Sequence, residues 1–280
     1  MNTFIRLAVS ASLLAAAVNA HAANVLVVLS DADHLDLKDG RVMATGFYLN
    51  ELMQPTKMLL DAGHTVTFAT PNGRAPTMDA SSNDAQYFGN DAASLASHRG
   101  LLERLKLTSA QESPVISLTR VEQIGYDRFD AVYIPGGHAP MQDLLRSAAL
   151  GKLLNAFHAN NKTTALVCHG PIALLSALPA SDAFVDQLQS GQTPKGDAGW
   201  IYAGYRMTVI SNQEEELGKG ALKGGAMTFY PQTGLQLAGG AYSSNASPWT
   251  AHVVHDRDLI SGQNPASARA VGEALLQRFK

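Results

Sequence analysis

Short, almost unbroken apolar runs recur along this chain, each followed by a turn and then a helical stretch, and this alternation constrains the fold more than any other feature. Asn24-Val25-Leu26-Val27-Val28-Leu29 is β-branched and apolar without alternation, the pattern of a central parallel strand buried on both faces. Thr65 to Ala69, Ala131 to Ile134, Thr163 to Val167 and Tyr205 to Ile210 repeat the theme. Helices are expected over Thr45–Ala62 with a bend at Pro55, Leu95–Leu107, Met141–His158, Gln213–Leu217 and Pro265–Phe279. Ala251–Val254 and Leu259–Ile260 read as a hairpin around Asp256-Arg257-Asp258, and the polar residues Ser30–Arg41 as a loop. The expectation is an α/β, flavodoxin-like three-layer sandwich: an open, mainly parallel sheet with helices on both faces. Residues 74–125 are less regular and read as a small cap or insertion within one domain spanning 23–280.

Residues 1–22 read as a secretory signal: one basic residue, Arg6, an apolar stretch Leu7–Val18 too short to span a bilayer, and Ala20-His21-Ala22 as cleavage site. The expected destination is periplasmic or secreted. Removing Arg6 from 21 basic and 24 acidic residues leaves 20 and 24, a net charge of −4. That mild acidity, without Lys/Arg clusters, argues against nucleic acid or an anionic membrane as partner.

The chain has one cysteine. Cys168 stands at the tip of Thr163-Thr164-Ala165-Leu166-Val167, followed by His169-Gly170-Pro171 and the apolar run Ile172–Leu175. Strand, sharp turn and helix start together make the cysteine analogue of a nucleophile elbow, holding a thiol at the carboxyl edge of the sheet where open α/β sheets bind ligands. A helix N-terminus there would favour thiolate. The competing reading is a small buried hydrophobe. A cysteine nucleophile wants a base, an orienter and oxyanion donors. His169 is the adjacent imidazole, Glu214-Glu215-Glu216 open a helix from which one acid could orient it, and Gly136-Gly137 end a strand with backbone amides to spare. Glu51 lies in the apolar helix after the first strand; facing the sheet, it would favour its protonated form and act as donor or proton shuttle. Asp31, His34 and His138 could gather at the strand ends, but no metal-ligand spacing is present, so neither metal nor cofactor is expected.

Five motifs in order carry a family resemblance: Ala44-Thr45-Gly46-Phe47-Tyr48-Leu49-Asn50-Glu51 up to Pro55; Ile134-Pro135-Gly136-Gly137-His138; Val167-Cys168-His169-Gly170-Pro171; Ser211-Asn212-Gln213-Glu214-Glu215; and Ser261-Gly262-Gln263-Asn264-Pro265-Ala266-Ser267-Ala268. From Asn24 to about Leu276 the chain resembles the PfpI-like superfamily, which holds the parkinsonism-associated deglycase and is related to class I glutamine amidotransferases. Within it the chain is most similar to the heat-shock chaperone and glyoxalase III branch. The resemblance implies Cys168 as nucleophile, His169 as its partner, Glu215 as third triad member, Glu51 as the helix glutamate touching the thiol, and the backbone of Gly137 and His169 as oxyanion hole. It implies conversion of methylglyoxal or a similar 2-oxoaldehyde to a 2-hydroxy acid without cofactor, through a Cys168 hemithioacetal. Peptidase or amidase action, a holdase chaperone and a thiol redox sensor are the alternatives, and a homodimer stays open. Two departures stand out: Ala139-Pro140-Met141 follows the Gly-Gly-His turn, and familiar members of the branch are cytosolic.

Overall fold

A computed structural model describes residues 22–280, so the leader reading of residues 1–22 lies outside the described residues except for Ala22. The chain runs β1 (Asn24–Val28), β2 (His34–Asp36), β3 (Val42–Ala44), α1 (Leu49–Asp61), β4 (Thr65–Thr70), α2 (Ala92–Arg104), β5 (Ile116–Ser117), α3 (Leu118–Ile124), β6 (Ala131–Ile134), α4 (Ala148–Ala159) and β7 (Thr163–Val167). It continues with α5 (Ser181–Gln189), β8 (Arg206–Met207), α6 (Asn212–Gly218), α7 (Pro231–Ala238), β9 (Ala241–Tyr242), β10 (Val253–Asp256), β11 (Leu259–Gly262) and α8 (Ala268–Gln277). No helix among the described residues is long and apolar enough to cross a membrane.

The core is a seven-stranded sheet in the order β10-β11-β7-β6-β1-β4-β5. All neighbours are parallel except β10, which returns antiparallel to β11. β1, β6 and β7 lie in the interior of the sheet, as their unbroken apolar runs predict. Val25 to Val28, Ala131 to Ile134 and Ala165 to Val167 are all fully buried, as strands covered on both faces must be. α1 and α8 pack against each other on one side, joined by the bond from Asn50 Nδ2 to the Pro265 carbonyl, 2.8 Å. α3 and α4 form a second pair, packed on β4 and β7. The arrangement is the α/β architecture that the alternation of runs implies.

Residues 74–125 begin with turns capped by Asp79 and Asp84 and then form α2, which packs on α1. They go on to add β5 to the sheet edge beside β4, so their second half is continuous with the main sheet. Three expectations are corrected. The segment 205–210 does not enter the main sheet: only Arg206–Met207 pairs, with β9, in a separate two-stranded sheet. The Thr208 amide donates to Ser261 Oγ (2.9 Å) and the Ile210 amide to the Cys168 carbonyl (3.0 Å), so side-chain and elbow contacts replace a strand ladder. The loop Ser30–Arg41 carries β2, which pairs with β3. The single helix over 141–158 is two short 3-10 turns, Ala139–Met141 and Leu144–Arg146, before α4 starts at the Ser147 cap.

Candidate active site

At the end of β7 the backbone turns sharply, and Cys168 takes φ +60°, a left-handed conformation disfavoured for a residue with a Cβ. Two neighbouring segments hold it there: the Cys168 amide donates to the Gly262 carbonyl at 2.9 Å, and its carbonyl accepts from Ile210 at 3.0 Å. Cys168 is 3% exposed. The segment after it, Gly170–Ala177, is a 3-10 run rather than an α-helix, and burial pushes the thiol well above its ordinary pKa, followed by the charge of Glu51. The elbow forms as expected, but its setting holds the thiol protonated; thiolate has to be generated by the neighbours.

Those neighbours form a relay. Cys168 Sγ lies 3.3 Å from His169 Nδ1, and His169 Nε2 lies 2.9 Å from Glu215 Oε1. With Nε2–H donating to the carboxylate, Nδ1 is free to accept the thiol proton. Burial pushes Glu215 up, but the charge and hydrogen bond of His169 outweigh it and leave the acid below its usual value. Of the three acids opening α6, each has its own task. Glu215 meets His169. Glu216 is at the surface with Lys219 and Tyr230. Glu214 is fully buried and closes a capping box with Ser211. It also accepts from Gln263 Nε2 (2.9 Å), Asn264 Nδ2 (2.8 Å) and the Trp249 amide (2.7 Å). Glu214 therefore ties the helix that presents Glu215 to the end of β11.

Glu51 reaches the thiol from α1 and is fully buried. Its Oε2 accepts the Gly136 amide at 2.8 Å, while Oε1 has no hydrogen-bond partner among the described residues. Burial pushes Glu51 up to about 8, so it carries a proton at neutral pH. Its helix is secured by an exchange of partners. Pro55 has no N–H to donate to the Glu51 carbonyl, and the buried Tyr133 hydroxyl of β6 supplies that bond instead. Gly136 has to be glycine here: a Cβ would lie 2.7 Å from Glu51 Oε2 and 2.7 Å from the His169 amide nitrogen. Gly137 has φ +79°, and its amide bears on the Glu51 carboxyl. Tyr48 and Tyr87, packed edge to face at 5.4 Å, lie near the thiol from α1's N-cap and the 74–125 segment.

Cys168, His169, Glu215, Glu51 and the Gly136-Gly137 turn thus gather at one place. Asp31 and His34 do not: Asp31 caps Asn72 and Arg74, and His34 faces Asp33 and Asp36. His138 instead stacks on His169, ring centroids 4.1 Å apart, which local sequence did not signal. Tyr133 and Glu214 were also missed. The spacing Ser211-x-x-Glu214 is a capping-box signature and could have flagged the second.

Comparison with known proteins gives this geometry its relatives. A probable glutathione-independent glyoxalase of Schizosaccharomyces pombe is 26% identical over 269 residues, covering 91% of this chain and 97% of that protein. A protein/nucleic acid deglycase of Staphylococcus aureus is 24% identical over 257 residues, covering 91% of this chain and 79% of its own length. Among solved structures, glyoxalase III from Candida albicans superposes with TM-score 0.67 at 18% identity, covering 93% of this chain and 98% of that one; it shows the fold alone. These relatives fall in the same glyoxalase and deglycase branch whose familiar members are cytosolic, so the reading of an export signal and a periplasmic protein is withdrawn. The family described as ThiJ/PfpI family-like matches residues 42–198, from β3 through the elbow and α5, and the chain belongs to that family.

Proposed function

We propose that this protein is a glyoxalase III-type enzyme that converts methylglyoxal or a similar 2-oxoaldehyde to the 2-hydroxy acid without glutathione. The observation that carries the reading is Glu51: a buried carboxyl, protonated near neutrality, beside a cysteine that already has its own histidine and acid. Acyl transfer needs nucleophile, base and oxyanion donors; moving a proton between adjacent carbons needs one carrier more.

The chemistry balances as follows. His169 Nδ1 takes the thiol proton, and the sulfur adds to the aldehyde carbon, giving a hemithioacetal once the oxygen is protonated. Backbone amides at His169 and Gly137 are the donors for that oxygen. Glu51 gives its proton to the hemithioacetal oxygen and, now a carboxylate, takes the C1 proton while protonated His169 gives a proton to the C2 oxygen. The enediol then receives the Glu51 proton at C2 and returns its C1 hydroxyl proton to His169, which gives a 2-hydroxy thioester. Water then cleaves it, releasing the 2-hydroxy acid and the thiol. The net reaction is 2-oxoaldehyde plus water giving the 2-hydroxy acid. Glu215 keeps Nε2 protonated so that Nδ1 stays basic.

A deglycase reading shares the first step and is favoured by the Staphylococcus aureus relative. It predicts release of lactate from methylglyoxal-modified amines, which would also leave nucleic acid adducts open as substrates. The test is methylglyoxal loss and lactate appearance without added thiol, by wild type, Cys168→Ser and Glu51→Gln. Turnover by the wild type alone is expected. Activity surviving Cys168→Ser, or none in reduced wild type, sinks the reading.

A further inference from the structure

We propose that His138, His169 and Glu215 form a binding site for a first-row divalent cation, zinc foremost, whose occupancy switches the cysteine centre off. One donor atom from each of the three lies within 4.8 Å of the others. The two imidazole rings are tilted 42° at 4.1 Å, and His169 Nε2 and Glu215 Oε1 are already 2.9 Å apart. A second observation is independent of that grouping: His138 Nδ1 is buried and has no hydrogen-bond partner among the described residues. An unpaired buried nitrogen is unfavourable, and a ligand on it removes that cost.

The donor set selects the ion. Two imidazoles and one carboxylate suit zinc, cobalt and nickel, and are poor for magnesium or calcium, which take oxygen shells. Three protein ligands leave a position for water.

The consequence for the centre follows from the two nitrogens of one ring. Metal on His169 Nε2 displaces the hydrogen bond to Glu215 and leaves the single proton of the neutral ring on Nδ1. That is the atom facing Cys168 Sγ at 3.3 Å, and a protonated Nδ1 cannot accept the thiol proton. Zinc therefore fixes the unproductive tautomer without touching the sulfur.

The binding half of this proposal stands apart from the glyoxalase reading; only the inhibition half rests on it. Chelator-stripped wild type, Cys168→Ala, His138→Gln and Glu215→Gln are titrated with zinc chloride by calorimetry, with magnesium chloride as control. Thermal melts first establish that each variant is folded, and His138→Asn replaces any that is not. We expect one zinc per chain for wild type and Cys168→Ala, binding weakened on the order of 10- to 100-fold in His138→Gln, and no heat with magnesium. The cobalt form should lack a sulfur-to-metal charge-transfer band, and zinc inhibition of turnover should reverse with chelator. Absence of binding by wild type, binding lost in Cys168→Ala, or binding unchanged in His138→Gln overturns the site. Failure of turnover with zinc binding intact would overturn the proposed function and leave the site standing.

Discussion

At the scale of the residue, Glu51 decides how the centre responds to pH. Its pKa lies near 8 in the fold against an ordinary 4.5, because burial penalises the carboxylate. Between those values the folded protein holds a proton that the unfolded chain has lost, so the contribution to stability is present at low pH and disappears as pH rises through about 8. Each unit of the window is worth about 1.4 kcal/mol at most. Urea unfolding of wild type from pH 5 to 9 should show stability falling, and Glu51→Gln should flatten that fall. Activity should follow the same direction: above about pH 8 a Glu51 carboxylate repels the thiolate it served, and turnover drops. A rate still rising through pH 9 would contradict this assignment.

The candidate centre was legible at this scale wherever a residue type has few other reasons to stand where it does. A lone cysteine after a buried strand, a histidine beside it and a glutamate in an apolar helix all proved to meet. What stayed hidden was three-dimensional. The sequence groups His138 with Asp31 and His34 at the strand ends, and only the fold shows that it lies on His169 instead. The protonation state of Cys168 also depends on burial, which no neighbouring letter records.

At the scale of the element, α1 is the piece whose integrity the centre depends on. Pro55 deprives the Glu51 carbonyl of its helical donor, and Tyr133 replaces it across the gap to β6. Tyr133→Phe should therefore cost about 1–3 kcal/mol by leaving a buried carbonyl unpaired. Pro55→Ala restores an N–H in the same helix, and in the Tyr133→Phe background it should recover part of that loss. Independent, additive effects in chemical denaturation would show that the two do not share the carbonyl. Elements were predicted best where the pattern was long and unbroken, as in β1, β6 and β7. The segment 205–210 carried the same apolar signature yet pairs over only two residues, because its later amides go to Ser261 and Cys168. Apolar periodicity reports burial, and burial here is supplied by the elbow rather than a ladder.

At the scale of the whole molecule, Glu214 joins parts of the chain far apart in sequence: Ser211, Trp249, Gln263 and Asn264. Removing a buried carboxyl with that many donors strands them all. Glu214→Ala should destabilise by at least ~3 kcal/mol and weaken turnover through a displaced Glu215, whereas Glu216→Ala should do neither. Melting temperatures and kcat of the two variants make the comparison. A Glu214→Ala protein as stable as wild type would remove the hub from this account.

The position of β7 has a consequence for how the protein is made. Its second neighbour in the sheet is β11, and the Gly262 carbonyl that fixes Cys168 lies 94 residues further along the chain (262 − 168). At ribosomal speeds of 5–20 residues per second, that separation is roughly 5–20 s. Throughout that interval β7 has β6 but not β11 beside it, and the Cys168 amide lacks its Gly262 partner. The backbone that sets the thiol's direction is thus locked only when the final strand is in place.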